Sequence, residues 1–147
     1  MPDALPASAR NVFRGRVTAI RPGTVNDEVT LQLAGSHTLV AVANHGACQA
    51  LGLALGQTAL ALVKAPWVML MTQAAGDGQI SARNQWTGEV TAITAGGVNC
   101  EVTVTLPGGQ AVHAVITQDA VRQLGLAVGR PATAIVKASD VLLAAAD

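Results

Sequence analysis

The chain has 147 residues, half of them apolar, and its nine basic and nine acidic side chains sum to a formal net charge of zero. This balance offers no long-range attraction to nucleic acid or to anionic membranes. Two cysteines cannot supply a disulfide framework. The first residues lack the basic and apolar segments of a secretion signal, and no apolar run approaches the roughly 20 residues of a membrane span. We therefore expect a soluble cytoplasmic protein.

The first half of the chain predicts three strands, a short helix and two further strands. Residues 12–20 alternate between apolar and polar side chains, Arg21-Pro22-Gly23 interrupts them, and residues 28–33 and 38–42 predict a hairpin. Asn44 is a favourable N-cap and Gly52 suits the position after a helix, which predicts a helix between them. The last two strands are expected at 59–64 and 68–71, on either side of Pro66.

Residues 81–147 repeat residues 8–74 without a gap. Ser81-Ala82-Arg83-Asn84 repeats Ser8-Ala9-Arg10-Asn11, and the same offset of 73 residues relates Leu124-Gly125 to Leu51-Gly52 and Lys137-Ala138 to Lys64-Ala65. The second half accordingly predicts strands at 102–106 and 111–116 and a helix after Thr117. We call residues related by this offset repeat-equivalent.

The repeat predicts two domains, residues 8–74 and residues 81–147, joined by a short linker at 71–80 and packed against each other. Five short strands with one helix after the third are typical of an OB-like barrel, so the predicted fold is mainly β with two such barrels. Because a unit of about 70 residues has a marginal core, we also expect the protein to form an oligomer.

Few polar groups capable of chemistry recur in both halves. The repeated charged residues are Arg10 with Arg83, Lys64 with Lys137, and Glu28 with Glu101, whereas no histidine or cysteine is repeated. Motifs for zinc binding, nucleophilic catalysis and phosphate-binding glycine loops are also absent from the sequence. We therefore expect neither a catalytic residue nor a directly ligated metal.

The repeated donors suggest a site for an oxyanion. A serine hydroxyl, an arginine, a lysine and free backbone N–H groups all donate hydrogen bonds, which suits a fully deprotonated anion. Each residue also has a simpler interpretation: Arg10 as a surface strand residue, Lys64 as a side chain extending from a strand end, and Glu28 and Glu101 as solvated or ion-paired surface groups.

Four repeated motifs together resemble one known family. Ser-Ala-Arg-Asn opens each half, Gly-x-Val-Asn-x-Glu-Val follows the first strand, Leu-Gly-Leu follows the helix, and Lys-Ala-Pro-Trp-Val or Lys-Ala-Ser-x-Val lies near the end. In this order they resemble the molybdate-binding Mop domain, and two tandem copies resemble the di-Mop proteins called molbindins. The resemblance covers about residues 8–74 and 81–147.

This resemblance implies strand exchange between neighbouring domains, assembly as a homotrimer, and molybdate or tungstate held at domain interfaces. The zero net charge leads us to expect no nucleic acid or membrane partner. The implied interface sites combine the opening motif, the helix start and the closing motif, at Ser8, Arg10, Gly46, Ala47, Lys64, Ala65, Ser81, Arg83, Asp119, Ala120, Lys137, Ala138 and Ser139. A second class of site, on the threefold axis, is implied at Gly23, Val25, Asn26, Gly96, Val98 and Asn99.

The chain departs from the family pattern at two places. Ala47 and Ala120 stand where many relatives carry serine, so backbone N–H groups near Gly46 and Asp119 are expected to replace a hydroxyl donor. Pro66 in the first half faces Ser139 in the second, which removes one N–H and adds one hydroxyl. We expect the two sets of sites to differ in affinity.

The family leaves the biological role open between storage or homeostasis of the anion and a sensing module that acts on a transporter or transcription partner. Seven residues precede Ser8, which leaves no room for a helix-turn-helix in this sequence, and no ATP-binding motif is present. A nucleic-acid-binding OB module would require stacking aromatic residues and a basic groove, and the chain offers Phe13, Trp67 and Trp86 alone.

Overall fold

The computed structural model describes residues 8–72 and 80–146. In the first half it contains β1 (Asn11–Arg21), β2 (Asn26–Gln32), β3 (Thr38–Asn44), α1 (His45–Leu51), β4 (Thr58–Val63) and β5 (Met69–Met71). The second half contains β6 (Asn84–Gly96), β7 (Asn99–Thr105), β8 (Ala111–Thr117), α2 (Gln118–Leu124), β9 (Pro131–Val136) and β10 (Leu142–Ala145). The predicted five strands and one helix in each half are confirmed. The predicted linker falls largely on residues 73–79, outside the described residues, and Met71 belongs to β5.

The strands form two antiparallel five-stranded sheets that exchange their last strands. One sheet has the order β10-β4-β1-β2-β3 and the other β5-β9-β6-β7-β8. β10 pairs with β4 from Leu142↔Leu62 to Ala145↔Ala59, and β5 pairs with β9 from Met69↔Ile135 to Met71↔Thr133. The exchange implied by the family resemblance therefore occurs within the chain, and each sheet is completed by the other half.

Both helices begin and end as their capping residues predict. The side chain of Asn44 accepts a hydrogen bond from the Ala47 N–H, and that of Thr117 accepts one from the Ala120 N–H. Gly52 and Gly125 follow the helices in the left-handed conformation, with φ of 67° and 64°. These caps hold each seven-residue helix at the end of the third strand of its half.

A single core runs through both halves. Phe13 and its repeat-equivalent Trp86 are both buried, and their ring centroids lie 5.4 Å apart with an interplanar angle of 49°. The Trp86 indole N–H donates to the Thr38 carbonyl of the other half at 2.8 Å. The prediction that the halves pack against each other is confirmed. Of the helices in the described part of the chain, none has the length and apolar character needed to cross a membrane.

The close pairing of the first two strands requires a glycine in each half. A Cβ at Gly88 would lie 2.3 Å from the Thr105 carbonyl oxygen, and one at Gly15 would lie 2.9 Å from that of Gln32. Just beyond these glycines the register shifts between Val17 and Ala19 and between Val90 and Ala92. Bulges of this kind bend a strand and increase its local twist.

Candidate functional site

Of the second-half interface residues predicted from the sequence, those of the opening and closing motifs line one cavity, whereas Asp119 and Ala120 at the helix start do not. Its volume is about 210 Å³, and its lining consists of Ser81, Ala82, Arg83, Lys137, Ala138, Ser139 and Val42. Val42 belongs to β3 of the first half, so the cavity lies at the junction of the two halves. We call it the second-half cavity.

Strand register explains why the opening and closing motifs meet. β6 pairs with β9 so that Asn84 lies opposite Val136, which places the preceding Arg83 beside the following Lys137. The same register pairs Asn11 with Val63 and places Arg10 beside Lys64. Each lysine then leads into a 3₁₀ turn, Ala65–Trp67 or Ala138–Asp140, and each turn packs on the third strand of the other half. Ser8, Arg10, Lys64 and Ala65 are therefore arranged as the first-half copy of the site.

The repeated arginines form ion pairs across the two halves. Arg10 donates to both carboxylate oxygens of Glu101, through Nε at 3.1 Å and Nη2 at 3.3 Å, and Arg83 lies 2.5 Å from Glu28. Arg10 holds the pKa of Glu101 below its usual range. The repeated glutamates are thus ion-paired, and the two guanidinium groups carry an assembly role in addition to any role at an anion site.

The repeated lysines, unlike the repeated arginines, have no acidic partner among the described residues, 8–72 and 80–146. Both lysines are exposed. The Lys64 ammonium lies 5.7 Å from the ring centroid of Trp67, whereas the repeat-equivalent of Trp67 is Asp140. The surroundings of the two lysines therefore differ, with an indole ring beside Lys64 and an aspartate at the equivalent position of the second half.

The last residue of the opening motif has a role that the sequence did not reveal. Asn84 accepts from the Val40 N–H at 2.7 Å and donates to the Val40 carbonyl at 2.8 Å, and Asn11 makes the same two bonds with His113 at 2.7 and 2.8 Å. Both asparagines are 1% exposed. Each asparagine side chain therefore pairs with the backbone of β8 or β3 in the other half as a neighbouring strand would, and this pairing holds the opening motif beside that strand. Repetition of Asn11 as Asn84 was the signal available in the sequence.

Part of the hydrogen-bonding capacity of the helix starts is used by their own caps. Ala47 lines a second cavity of about 310 Å³ together with Val42, Asn44 and Ser139, which adjoins the second-half cavity. The Ala47 and Ala120 N–H groups, however, are already bound by the caps Asn44 and Thr117. Gly46 is exposed, and the Asp119 carboxylate pairs with Arg122.

The candidate axial residues lie in the turn between the first two strands of each half. The Val25 and Val98 side chains are 68% and 78% exposed, and their carbonyls accept from the His45 and Gln118 N–H groups at 2.9 and 2.8 Å. Gly23, Asn26 and their equivalents Gly96 and Asn99 belong to the same turns and are exposed. These turns therefore lie against the helix starts and away from the opening motifs.

One of the two turns is held by a buried carboxylate. Asp27 accepts from the Gly23 N–H at 3.1 Å and lies 2.7 Å from His45 Nδ1, and its hydrogen bond with His45 is the main cause of its lowered pKa. Burial raises the pKa of the neighbouring Cys48 thiol. In the second half the equivalent residues are Cys100, Gln118 and Val121. No group of three potential ligands suited to a metal occurs among the described residues.

A comparison with protein families identifies the repeated unit. The model of the TOBE domain matches residues 7–70 and again residues 80–143. The chain belongs to the TOBE-domain family. Its two domains are arranged in tandem, and the predicted relationship to the tandem Mop-domain proteins is confirmed.

Similar proteins share both the sequence and the fold. A crystal structure of the cytoplasmic molybdate-binding protein ModG with molybdate bound is 46% identical, covers 96% of this chain and 99% of its own, and superimposes with a TM-score of 0.92. The molybdenum-pterin-binding protein MopA of Rhodobacter capsulatus is 47% identical over 93% of this chain, and the molybdenum transport protein ModE of Herbaspirillum seropedicae is 43% identical over 96%. The chain spans about half the length of these two curated relatives, 51% and 52% respectively.

Proposed function

We propose that this tandem TOBE-domain protein binds molybdate or tungstate at the junctions between its two halves. The observation that carries the proposal is the second-half cavity, whose lining includes Ser81, Arg83, Lys137 and Ser139. A likeness of 46% identity to ModG, whose structure holds molybdate, supports the same ligand. The first-half copy is formed by Ser8, Arg10, Lys64 and Ala65.

The chemistry of this site suits a tetrahedral dianion whose metal is shielded by oxygen. Hydroxyl, ammonium and backbone N–H groups donate to the four oxygens, so no residue ligates the metal itself. Hydrogen phosphate carries a proton that would face another donor, and an unpaired group of this kind costs about 1–3 kcal/mol. Sulfate has no such proton and is rejected by its smaller size, because its shorter bonds leave a donor out of reach.

The turns containing Gly23, Val25 and Asn26, and Gly96, Val98 and Asn99, form the second class of site once chains assemble around a threefold axis. Among the described residues, three repeat-equivalent pairs of large apolar side chains are exposed, namely Val25 with Val98, Leu55 with Val128, and Met69 with Leu142. Exposed apolar groups that recur in this way favour burial in an assembly, and we assign them to a homotrimer.

The role we assign is storage and homeostasis of the anion in the cytoplasm, without enzymatic activity and without a nucleic acid or membrane partner. The domain limits that fit this role are 8–74 and 81–147, which include the exchanged strands. The ModE relatives favour a second candidate, a molybdate-sensing module that regulates a transporter or transcription partner. Hydrogen exchange with and without molybdate separates the two roles: storage predicts protection confined to the anion sites, and sensing predicts a change at a remote surface.

Native mass spectrometry of the full chain tests binding and assembly together. The expected result is a species of three chains that gains the mass of several molybdate ions and gains none from sulfate at the same concentration. A monomer that retains no molybdate would overturn both the ligand and the trimer.

A further inference from the structure

His113 distinguishes the two copies of the interface site. The repeat-equivalent residue is Val40, and each of these residues is held through its backbone N–H and carbonyl by the asparagine of an opening motif, His113 by Asn11 and Val40 by Asn84. Histidine and valine thus occupy the same place relative to Arg10 in one copy and to Arg83 in the other.

The imidazole lies on the strand face that borders the first-half site. Thr103 pairs with His113 and Glu101 pairs with Val115 between β7 and β8, and residues two apart on a strand face the same side. His113 Nδ1 lies 2.9 Å from Thr103 Oγ1, and Glu101 holds Arg10. Val42, the repeat-equivalent of Val115, lines the second-half cavity. Val115 is therefore the expected wall residue of the first-half site, and His113 lies two residues before it on the same face of β8.

Of the charged groups on the elements around this imidazole, Arg10 and Glu101 are the two that act on its pKa. The elements packed against β8 are β7, α2, β1, β5 and the 3₁₀ turn at Ala65–Trp67. The titratable or charged residues on these elements or immediately before them are Cys100, Glu101, Asp119, Arg122, Arg10, Arg14, Arg16, Arg21 and Lys64. Burial lowers the pKa of His113, the Arg10 charge lowers it further, and Glu101 acts in the opposite direction. The free protein consequently holds a neutral imidazole at pH 7.

We infer that His113 links anion binding to proton uptake in the first-half site, whereas the second-half site, with Val40 in its place, binds without taking up a proton. This inference rests on the proposed function. A dianion beside Arg10 and Lys64 stabilises an imidazolium nearby, and by reciprocity a protonated His113 strengthens binding of the dianion. The proton comes from the buffer and goes to the imidazole, so affinity of the first-half site rises as pH falls through the histidine range and levels off above it.

Isothermal titration of the full chain with molybdate at a pH near 6.5, the unperturbed value for histidine, in buffers of different ionisation heat measures the uptake directly. We expect uptake of a fraction of one proton per chain in the wild type, none in His113→Val, and about twice the wild-type value in Val40→His. His113→Gln removes the titration while keeping a side chain able to bond Thr103, and serves if the valine variant folds poorly. His37→Gln, which copies Gln110 and lies outside both classes of site, is the control and keeps the uptake.

The outcomes separate this inference from the proposed function. Absence of binding heat in every variant would remove the proposed function itself. Molybdate binding that proceeds without proton uptake in the wild type, or with the same uptake in His113→Val and His113→Gln, would overturn the role of His113 and leave the proposed function in place.

Discussion

Arg10 and Glu101 lie 91 residues apart in the sequence and form a two-bond ion pair that joins the first half of the protein to the second. Repeat-equivalent Arg83 and Glu28 form the reciprocal pair. The residues that the repeat preserves therefore do two things: the arginines and glutamates join the halves, and the lysines beside them remain available to a ligand. This division leads to different expectations for each residue type.

Neither half is expected to fold alone, because each sheet needs a strand from the other half. A fragment of residues 1–75 would lack β10 and expose the edge of β4 and the apolar groups behind it. Circular dichroism and size-exclusion chromatography of this fragment should show no cooperative melting and no monodisperse monomer. A monomeric fragment that melts sharply would contradict the exchange.

Alanine at Asn11 or Asn84 should destabilise the protein without the anion present. Either change removes two hydrogen bonds and leaves backbone groups of His113 or Val40 without their partner, which costs about 1–3 kcal/mol. Urea denaturation measures the loss, and Gln49→Ala, at an exposed helix position, is the control expected to change little. Equal stability of all three variants would show that water replaces the asparagine side chains.

Alanine at Lys64 should weaken the first-half copy of the interface site, and alanine at Lys137 should weaken the second-half copy. Each variant should leave the other copy intact. Removal of one cation weakens the attraction to the dianion, and because both lysines are exposed the cost should lie below the ~2–5 kcal/mol of truncated buried charge pairs. Isothermal titration with molybdate should therefore lose part of its stoichiometry in each single variant and all interface binding in the double variant. Arg130→Ala, an exposed cation outside these sites, is the matched control; unchanged titration of the double lysine variant would make the lysines structural.

Exchange of charge between Arg10 and Glu101 should test the joining role separately from the anion site. Arg10→Glu alone places two carboxylates together and should lower stability, whereas Arg10→Glu combined with Glu101→Arg should recover much of the loss. Because these side chains are partly exposed, the coupling is expected to be small, about 0.2–1 kcal/mol. A double-mutant cycle by thermal denaturation gives the value, and a coupling of zero would assign the arginines to the ligand alone.

The Asp27 cluster should give the first half a dependence on acid pH. The pKa of Asp27 is lowered by its hydrogen bonds with His45 and Gly23, so its charged form stabilises the fold above the ordinary value of 3.8, and this contribution declines as pH falls through the lower folded value. The difference in unfolding free energy between the wild type and Asp27→Asn should therefore be constant above the ordinary value of 3.8 and shrink as pH falls below it. Asp119→Asn, at an exposed helix position, is the comparison. A difference that persists unchanged to the most acid pH at which the protein folds would rule out the cluster as its source.

Local pattern was sufficient to place the elements of this protein. Apolar alternation located the strands that are buried on one face, whereas β4 and β9 are buried on both faces and appear as continuous apolar runs. Asn44, Thr117, Gly52 and Gly125 set the helix limits through hydrogen bonds with residues close in the sequence. The constant offset of 73 residues between similar segments also showed that the two halves share one fold, and the order of four motifs indicated the family.

Long-range partners were decided by the tertiary structure. β5 and β10 have three and four residues, too few for an alternating pattern to select a partner, and it is the packing of the two halves that directs β5 to β9 and β10 to β4. The sequence alone does not show whether Arg10 contacts a ligand or another part of the protein, and the fold pairs it with Glu101. The contact between Asn11 and β8 likewise depends on the tertiary structure. Sequence patterns record which face of a strand is buried, but which strand covers that face depends on contacts between residues far apart in the chain.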